Sequence, residues 1–388
     1  VTAAFGASRA AAGEPQLVAI DVKPGAVMES QSGLQMLRPR IWGALHAPAG
    51  GLGRTAAIVM HPASNFMGHY LLAPLAARGV AALGLNSRYA GNDTLLLMER
   101  VIQDLGAGVA WLRAHGVRRV LLVGNSGGAA LAAFYAAQSQ ALTATHTPDG
   151  TPTHLAPADL PPVEGLALCA AHEGRSRLLA QWIDPSVTDE HDPLSCDASL
   201  DVHDTRHGPP FAPAFLERFR AAQAARVARI EAWCVERLAR LRSASGTPGA
   251  PADQVFLVHR THADPRCLDV TLDANDRAPG SVWGESRTVN WSANAMGRVT
   301  SLTAFLSQWS PRSQADGPTN LARCTHPALL LTYTADQSTF PSTRRAWLEA
   351  GGERVRDVEV KGANHYLAGQ PQLVPLVADA IAAFAEGL

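Results

Sequence analysis

The sequence predicts an α/β fold: a doubly wound, mostly parallel sheet of eight strands, interrupted by one long and mainly helical insertion. Three observations carry that expectation. From Thr55 to Gln140 short apolar runs alternate with segments of helical period, the signature of parallel strands joined by crossover helices. The same alternation returns from Pro327 to Leu388. Between Ser176 and Cys324 it gives way to Pro- and Asp-rich loops, one long amphipathic helix and a Trp-rich stretch. A chain of 388 residues, 47% of them hydrophobic, is long enough to bury a full core without staples.

The first fifteen residues are rich in Ala, Ser and Gly without a continuous apolar run, and read as a flexible arm. Residues 16–175 and 326–388 form the expected core, and 176–325 the insertion. Gln16–Lys23 and Arg40–Ala47 read as two antiparallel strands joined by a polar connection. Thr55–His61, TAAIVMH, is a buried strand that ends in His61-Pro62-Ala63-Ser64. Tyr70–Arg78 is helical and Gly79 closes it. The strand Val80–Leu85 follows, then the polar loop Asn86–Asp93, at the end of the sheet where open α/β folds place ligands. Thr94–His115 carries Leu97, Val101, Leu105, Val109 and Leu112 on one helical stripe. After a Pro- and Thr-rich connection over Thr143–Pro162 comes the strand Val163–Ala171.

Within the insertion, Pro213–Arg242 is a helix with Phe215, Phe219, Ile230, Cys234, Leu238 and Leu241 near one face; its Arg and Glu form a solvated face. Val255–Arg260 and Cys267–Leu272 alternate like paired strands. The sheet resumes with Pro327–Thr334, a helix over Pro341–Ala350, the strand Arg354–Val360 and a closing helix over Gln372–Glu386.

The stretch Val120–Ala130, VLLVGNSGGAA, has the most chemical content. A buried strand runs through Gly-Asn-Ser-Gly-Gly into a small-residue helix, so Ser126 stands at a sharp strand-to-helix corner. Gly124 and Gly128 remove the Cβ atoms that would collide across such a corner, and Gly127 keeps the approach to Ser126 open. A nucleophilic serine requires a base to take its proton and a third group to hold that base in the right tautomer. His365 lies in a Gly-Ala-Asn-His-Tyr loop after the last strand, and Asp336 lies after the preceding one.

These motifs resemble the α/β-hydrolase fold family: V-G-N-S-G-G for the elbow, T-A-D-Q for the acid turn and G-A-N-H-Y for the histidine loop. The resemblance covers Thr55–Leu168 and Pro327–Leu388 and little of 176–324. Ser, acid and His also follow in the family's chain order. It implies that Ser126 attacks a carbonyl, His365 shuttles the proton and Asp336 orients the imidazole. Glu173 is the competing acid, because some members take their carboxylate from the strand before the insertion. The resemblance also implies an oxyanion hole made by the Gly127 N–H and an N–H from the loop after the third strand. That loop is commonly His-Gly followed by the donor, and here Pro62 has no N–H to give. Ala63 is then the expected donor, or Ser64, with His61 bracing the loop.

Arg88, Tyr89, Asn125 and Tyr366 are the candidate substrate-binding residues. Arg88 either holds a substrate carboxylate in a bidentate contact or forms a loop salt bridge, for example to Asp93. The insertion occupies the family's cap position, where it would roof the serine and exclude water. Among Trp182, Phe211, Phe215, Trp283, Trp291 and Trp309, one or two are expected to reach the pocket.

The leading expectation is therefore a serine hydrolase that cleaves a small, largely apolar ester or amide through an acyl-enzyme. The alternatives are a carbon-carbon bond hydrolase acting on a diketone-like acid with the same triad, and a non-catalytic binding protein on this fold. A formal net charge of -1 gives no electrostatic reason to bind nucleic acid or a membrane surface. The expected partner is a small molecule, with a homo-oligomer left open. Cys169, Cys196, Cys234, Cys267 and Cys324 have no C-x-x-C spacing and argue against a disulfide framework or zinc knuckle. Neither His259 and His262 nor the group Asp201, His203, Asp204, His207 matches a metal-ligand spacing, so neither metal nor other cofactor is expected. No apolar run reaches bilayer length. The expected location is cytoplasmic, with a processed secreted form as the alternative.

Overall fold

In the computed structural model, which describes residues 14–25, 38–246, 251–293 and 295–388, the apolar runs of the sequence become one sheet. Residues 1–13 of the expected arm, most of the connection between the first two strands and part of the loop after the long helix lie outside the described residues. The first half contains β1 (Gln16–Asp21), β2 (Arg40–His46), β3 (Thr55–His61), α1 (Leu72–Ala76), β4 (Ala81–Asn86), α2 (Met98–Ala114), β5 (Arg119–Asn125), α3 (Gly127–Gln140) and β6 (Gly165–Cys169). The insertion contributes α4 (Arg175–Trp182), α5 (Pro213–Ser243), β7 (Val255–Leu257), α6 (Ser286–Trp291), β8 (Val299–Ser301), α7 (Leu302–Gln308) and α8 (Gly317–Arg323). The chain closes with β9 (Ala328–Tyr333), α9 (Pro341–Gly351), β10 (Val355–Val360) and α10 (Val374–Glu386).

The eight-stranded sheet has the order β1-β2-β4-β3-β5-β6-β9-β10. β1 pairs antiparallel with β2, and β2 antiparallel with β4; every other pairing is parallel. Side chains alternate across a strand, so β5 sends Val120 and Leu122 to one face and Leu121 and Val123 to the other. The first face packs against Val101, Leu105 and Val109 of α2 and Phe134 of α3. The second packs against Leu72 and Leu75 of α1 and Val377 and Ile381 of α10. β5 thus lies in the dry centre of the sheet, and whatever follows it is held rigidly.

The insertion has apolar clusters of its own. Leu179 and Ile183 meet Val227, Ile230, Cys234 and Leu238 of α5 and Phe305 and Trp309 at the end of α7. A smaller cluster joins Val202, Phe211, Phe215 and Phe219. The expected hairpin is corrected: β7 pairs antiparallel with β8, with Val255 opposite Ser301. Cys267 instead ends a short 3-10 turn, Pro265–Cys267, capped by the Asp264 carboxylate. Asp269, inside the expected strand, accepts from the Thr271 N–H at 3.0 Å and the Thr271 hydroxyl at 2.6 Å, a side-chain turn in place of a strand.

One core-to-insertion contact is ionisable and fully buried. Glu99 of α2 accepts hydrogen bonds from the Ser307 hydroxyl at 2.7 Å and the Gln314 amide at 3.0 Å. Burial raises its pKa from 4.5 to about 7, against the opposing effect of those hydrogen bonds. The folded protein therefore binds this proton more tightly than the unfolded chain. The resulting stabilisation is complete below pH 4.5 and is lost as pH rises through about 7. Unfolding free energy from urea titrations is expected to fall by about 3 kcal/mol across that window, and Glu99→Gln is expected to flatten the fall. Parallel profiles for the two proteins would remove Glu99 as the cause.

Candidate active site

β5 runs into α3 through a single residue, Ser126, at φ 59° and ψ -127°. That backbone conformation is strained for a residue with a Cβ, and its surroundings enforce it. The Ser126 N–H donates to the Cys169 carbonyl at 3.0 Å, and its own carbonyl accepts from the N–H groups of Ala129 and His172 at 3.1 and 3.2 Å. A Cβ on Gly124 would run into the backbone of Gly128 and Ala129, and one on Gly128 into the Met60 carbonyl. The serine is thereby displayed at the carboxyl end of the central strand.

The loops after β9 and β10 bring Asp336 and His365 together: Asp336 Oδ2 is 2.7 Å from His365 Nδ1. The other four bonds to this carboxylate are local. Its Oδ1 accepts from the Ser338 N–H at 2.7 Å, the Ser338 hydroxyl at 3.0 Å and the Thr339 N–H at 3.2 Å, and Oδ2 accepts from the Thr339 hydroxyl at 2.6 Å. Burial alone would raise its pKa; the adjacent His365 ring and the Thr339 hydroxyl outweigh burial and hold it at about 2. Asp336 is therefore an anion at any working pH. With Nδ1 facing that anion, the His365 proton belongs on Nδ1 and the lone pair on Nε2.

Ser126, Gly127, His365 and Tyr366 line a cavity of about 600 Å³. The Tyr366 ring stands edge-on to that of His365, with centroids 4.4 Å apart. His172, just past β6, lies with its ring centroid 5.2 Å from that of His365, and burial depresses its pKa to about 3, so it is a neutral wall. The far wall comes from the insertion: Leu178, Trp182, Trp283, Val289 and Met296. Two of the six insertion aromatics named from the sequence, Trp182 and Trp283, reach the cavity.

Other expected site residues are placed elsewhere. Asn125 is buried, donating to the Cys169 carbonyl at 3.0 Å and meeting His69 Nε2 at 3.2 Å, so it ties the elbow together and does not face the cavity. Tyr89 packs in the core beside Leu96 and Met98. Arg88 is locked onto Asp104 of α2, with Nε at 3.0 Å and Nη2 at 2.6 Å from Oδ1. It neither holds a carboxylate in the cavity nor pairs with Asp93, which takes Arg175 at 2.7 Å instead. Glu173 pairs with Arg177 at 2.8 Å and does not line the cavity. Ala63 and Ser64 do line it, but both of their N–H groups donate to His61 Nδ1. This geometry does not fit the oxyanion role expected of either.

Arg88→Ala leaves Asp104 buried without its cation. It is expected to destabilise the fold by about 3–5 kcal/mol while lowering turnover of acidic and neutral substrates equally. A selective loss on acidic substrates at unchanged thermal midpoint would return Arg88 to the site.

Ser338, Thr339 and His172 were not anticipated as site residues. The first two had a signal, since Ser and Thr two and three residues after an Asp invite side-chain turns onto its carboxylate.

The strand order, the single antiparallel β2 within the run from β2 to β10, and the elbow after β5 define the α/β-hydrolase fold. The chain has that fold. No family model and no curated protein sequence matches it. Among solved structures it is similar to DcsB in complex with its substrate analogue, with a TM-score of 0.50 and 14% identity over 96% of this chain and 99% of that one. The esterase Est22 has a TM-score of 0.48 and 12% identity over 98% and 83%. The esterase domain of a Rhodothermus marinus protein has 0.47 and 13% over 96% and 98%. At such identities the likeness is one of fold. Among the described residues no helix is long and apolar enough to cross a membrane.

Proposed function

We propose that this chain is a serine hydrolase that cleaves a small, largely apolar ester or amide through an acyl-enzyme. The observation that carries the proposal is the 2.7 Å contact from His365 Nδ1 to the fully buried Asp336, made at the rim of the cavity that also holds Ser126. In the first step the Ser126 hydroxyl adds to the substrate carbonyl and its proton passes to His365 Nε2, with Asp336 facing the imidazolium that forms; the adduct then collapses, and the alcohol or amine leaves with that proton to give the acyl-enzyme. In the second, water does the same to the acyl-enzyme. A cavity of about 600 Å³ with Trp182, Trp283, Val289 and Met296 on its roof suits a compact acyl group. The carbon-carbon reading would make Arg88 a carboxylate anchor, whereas Arg88 is paired with Asp104. The partner proposed is accordingly a small molecule without an acid group at that position.

A fluorophosphonate probe and p-nitrophenyl esters of increasing acyl length test this. Labelling at Ser126, with turnover that falls once the acyl chain outgrows the cavity, is the expected result. An unlabelled Ser126 and no ester turnover would end the proposal.

A further inference from the structure

An oxyanion is stabilised by donors fixed in place before it forms, and the loop after β3 does not offer its backbone for this. Pro62 has no N–H. The next two N–H groups, of Ala63 and Ser64, donate to His61 Nδ1 at 3.2 and 2.9 Å, so their hydrogens point into the imidazole. The loop is held in that shape from behind. The Ser87 hydroxyl donates to the Pro62 carbonyl at 2.5 Å, and the Gly91 N–H donates to the Ala63 carbonyl at 2.9 Å.

A ring nitrogen that accepts two N–H groups carries no proton of its own. His61 is therefore the neutral tautomer protonated on Nε2. Burial, with Arg175 and His172 adding to it, holds its pKa well below the ordinary value, so the ring does not become a cation as pH falls through the usual histidine range. Nε2 lies against the residue after the nucleophile: a Cβ built on Gly127 would stand 2.9 Å from it. His61, Ser126 and Gly127 line the same cavity, and among the described residues Nε2 has no hydrogen-bond partner.

The geometry points to His61 as a catalytic residue whose Nε2–H is the second oxyanion donor, beside the backbone N–H of Gly127. This rests on the serine-hydrolase reading above. When the Ser126 oxygen bonds to the carbonyl carbon, the C=O π pair moves onto oxygen and the serine proton goes to His365. The new oxyanion accepts hydrogen bonds from Gly127 N–H and His61 Nε2–H, and His61 transfers no proton. On collapse the C=O bond re-forms, and the leaving group departs with the proton held by His365. The side chain thus supplies the donor that a glycine-containing loop would have supplied from its backbone.

Three variants separate this role from mere bracing of the loop. Asn at position 61 keeps an acceptor for the Ala63 and Ser64 N–H groups but has no donor at Nε2. Gln carries an N–H that reaches the Nε2 position. Ala has neither. We expect His61→Ala and His61→Asn to lose about 10²- to 10³-fold in kcat, with KM changed little. His61→Gln should recover at least about tenfold over His61→Asn, one donor hydrogen bond in the transition state. A trifluoromethyl ketone, which adds to Ser126 as a hemiketal, should also move the His61 Nε2–H proton resonance downfield in the wild-type protein.

If His61→Asn is as active as His61→Gln or more so, the ring is only a brace and the inference is overturned. An unmoved proton resonance in the ketone complex overturns it as well. If the wild-type chain is neither labelled at Ser126 nor turns over esters, the hydrolase reading fails and takes this inference with it. If the wild type works and His61→Ala works equally well, only the inference fails. Should His61→Ala not fold, the Asn and Gln comparison decides.

Discussion

Ser126→Ala is expected to reduce ester turnover by about 10⁵- to 10⁶-fold and to abolish fluorophosphonate labelling, with the thermal midpoint nearly unchanged. The two halves of this prediction have separate physical grounds. Chemically, Ser126 is the hydroxyl displayed at the elbow, and on the proposed reading His365 and His61, which line the same cavity, serve it as base and donor. Structurally, alanine retains a Cβ, so the cost of holding φ at 59° is the same in both proteins. A residual rate above water is expected from the donors that remain. A variant that keeps even about a tenth of wild-type kcat would show that Ser126 is not the nucleophile.

Asp336→Asn is expected to lower kcat by about 10⁴-fold, and Glu173→Gln by less than about threefold. The asparagine amide has nearly the shape of the carboxylate but only one acceptor oxygen, and Asp336 in the protein accepts through both. His365 would then face an N–H or lose its partner, and the tautomer with its lone pair on Nε2 would no longer be favoured. Because Asp336 stays ionised down to about pH 2, its own protonation adds no limb to a rate profile recorded above pH 4. Its contribution to stability has the opposite sign to that of Glu99: a pKa depressed from 3.8 stabilises the fold above 3.8 and is lost as pH falls through about 2. The reverse ranking of the two variants would transfer the acid role to Glu173.

The sheet was legible because each strand is a short apolar run that stops at a polar or glycine-rich corner, and burial on both faces of a parallel sheet demands that pattern. Ser126, Asp336 and His365 were legible as positions for the same reason, since each lies in the corner or loop that follows such a run. What was lost was everything fixed by long-range polar pairing. In the sequence Arg88 reads as a carboxylate anchor or a salt-bridge partner of Asp93, because its partner, Asp104, sits on a helix whose stripe reads as apolar and lies 16 residues away. Asp264 is buried between Arg220 and Arg266, and Arg226 is buried on Glu190 and three backbone carbonyls. Such networks have no period of 2 or 3.6, so the segments they hold together could not be drawn from pattern. His61 was visible only as a loop brace because a ring has two nitrogens, and the sequence says nothing of which one faces the loop and which the cavity.

The cavity has walls of two origins. Ser126, His365 and His61 are held by the sheet and its two apolar faces, whereas Trp182 and Met296 belong to segments packed against α5 and α7, and Trp283 stands edge-on to Trp182. The His172 ring joins the two sets, with its centroid 6.0 Å from that of Trp182 and 5.2 Å from that of His365, so substitutions at Trp182 and His365 should couple by about 0.5–3 kcal/mol and not simply add. Exchanging the roof at Trp182 to change the acyl group accepted would therefore also alter the surroundings of His365.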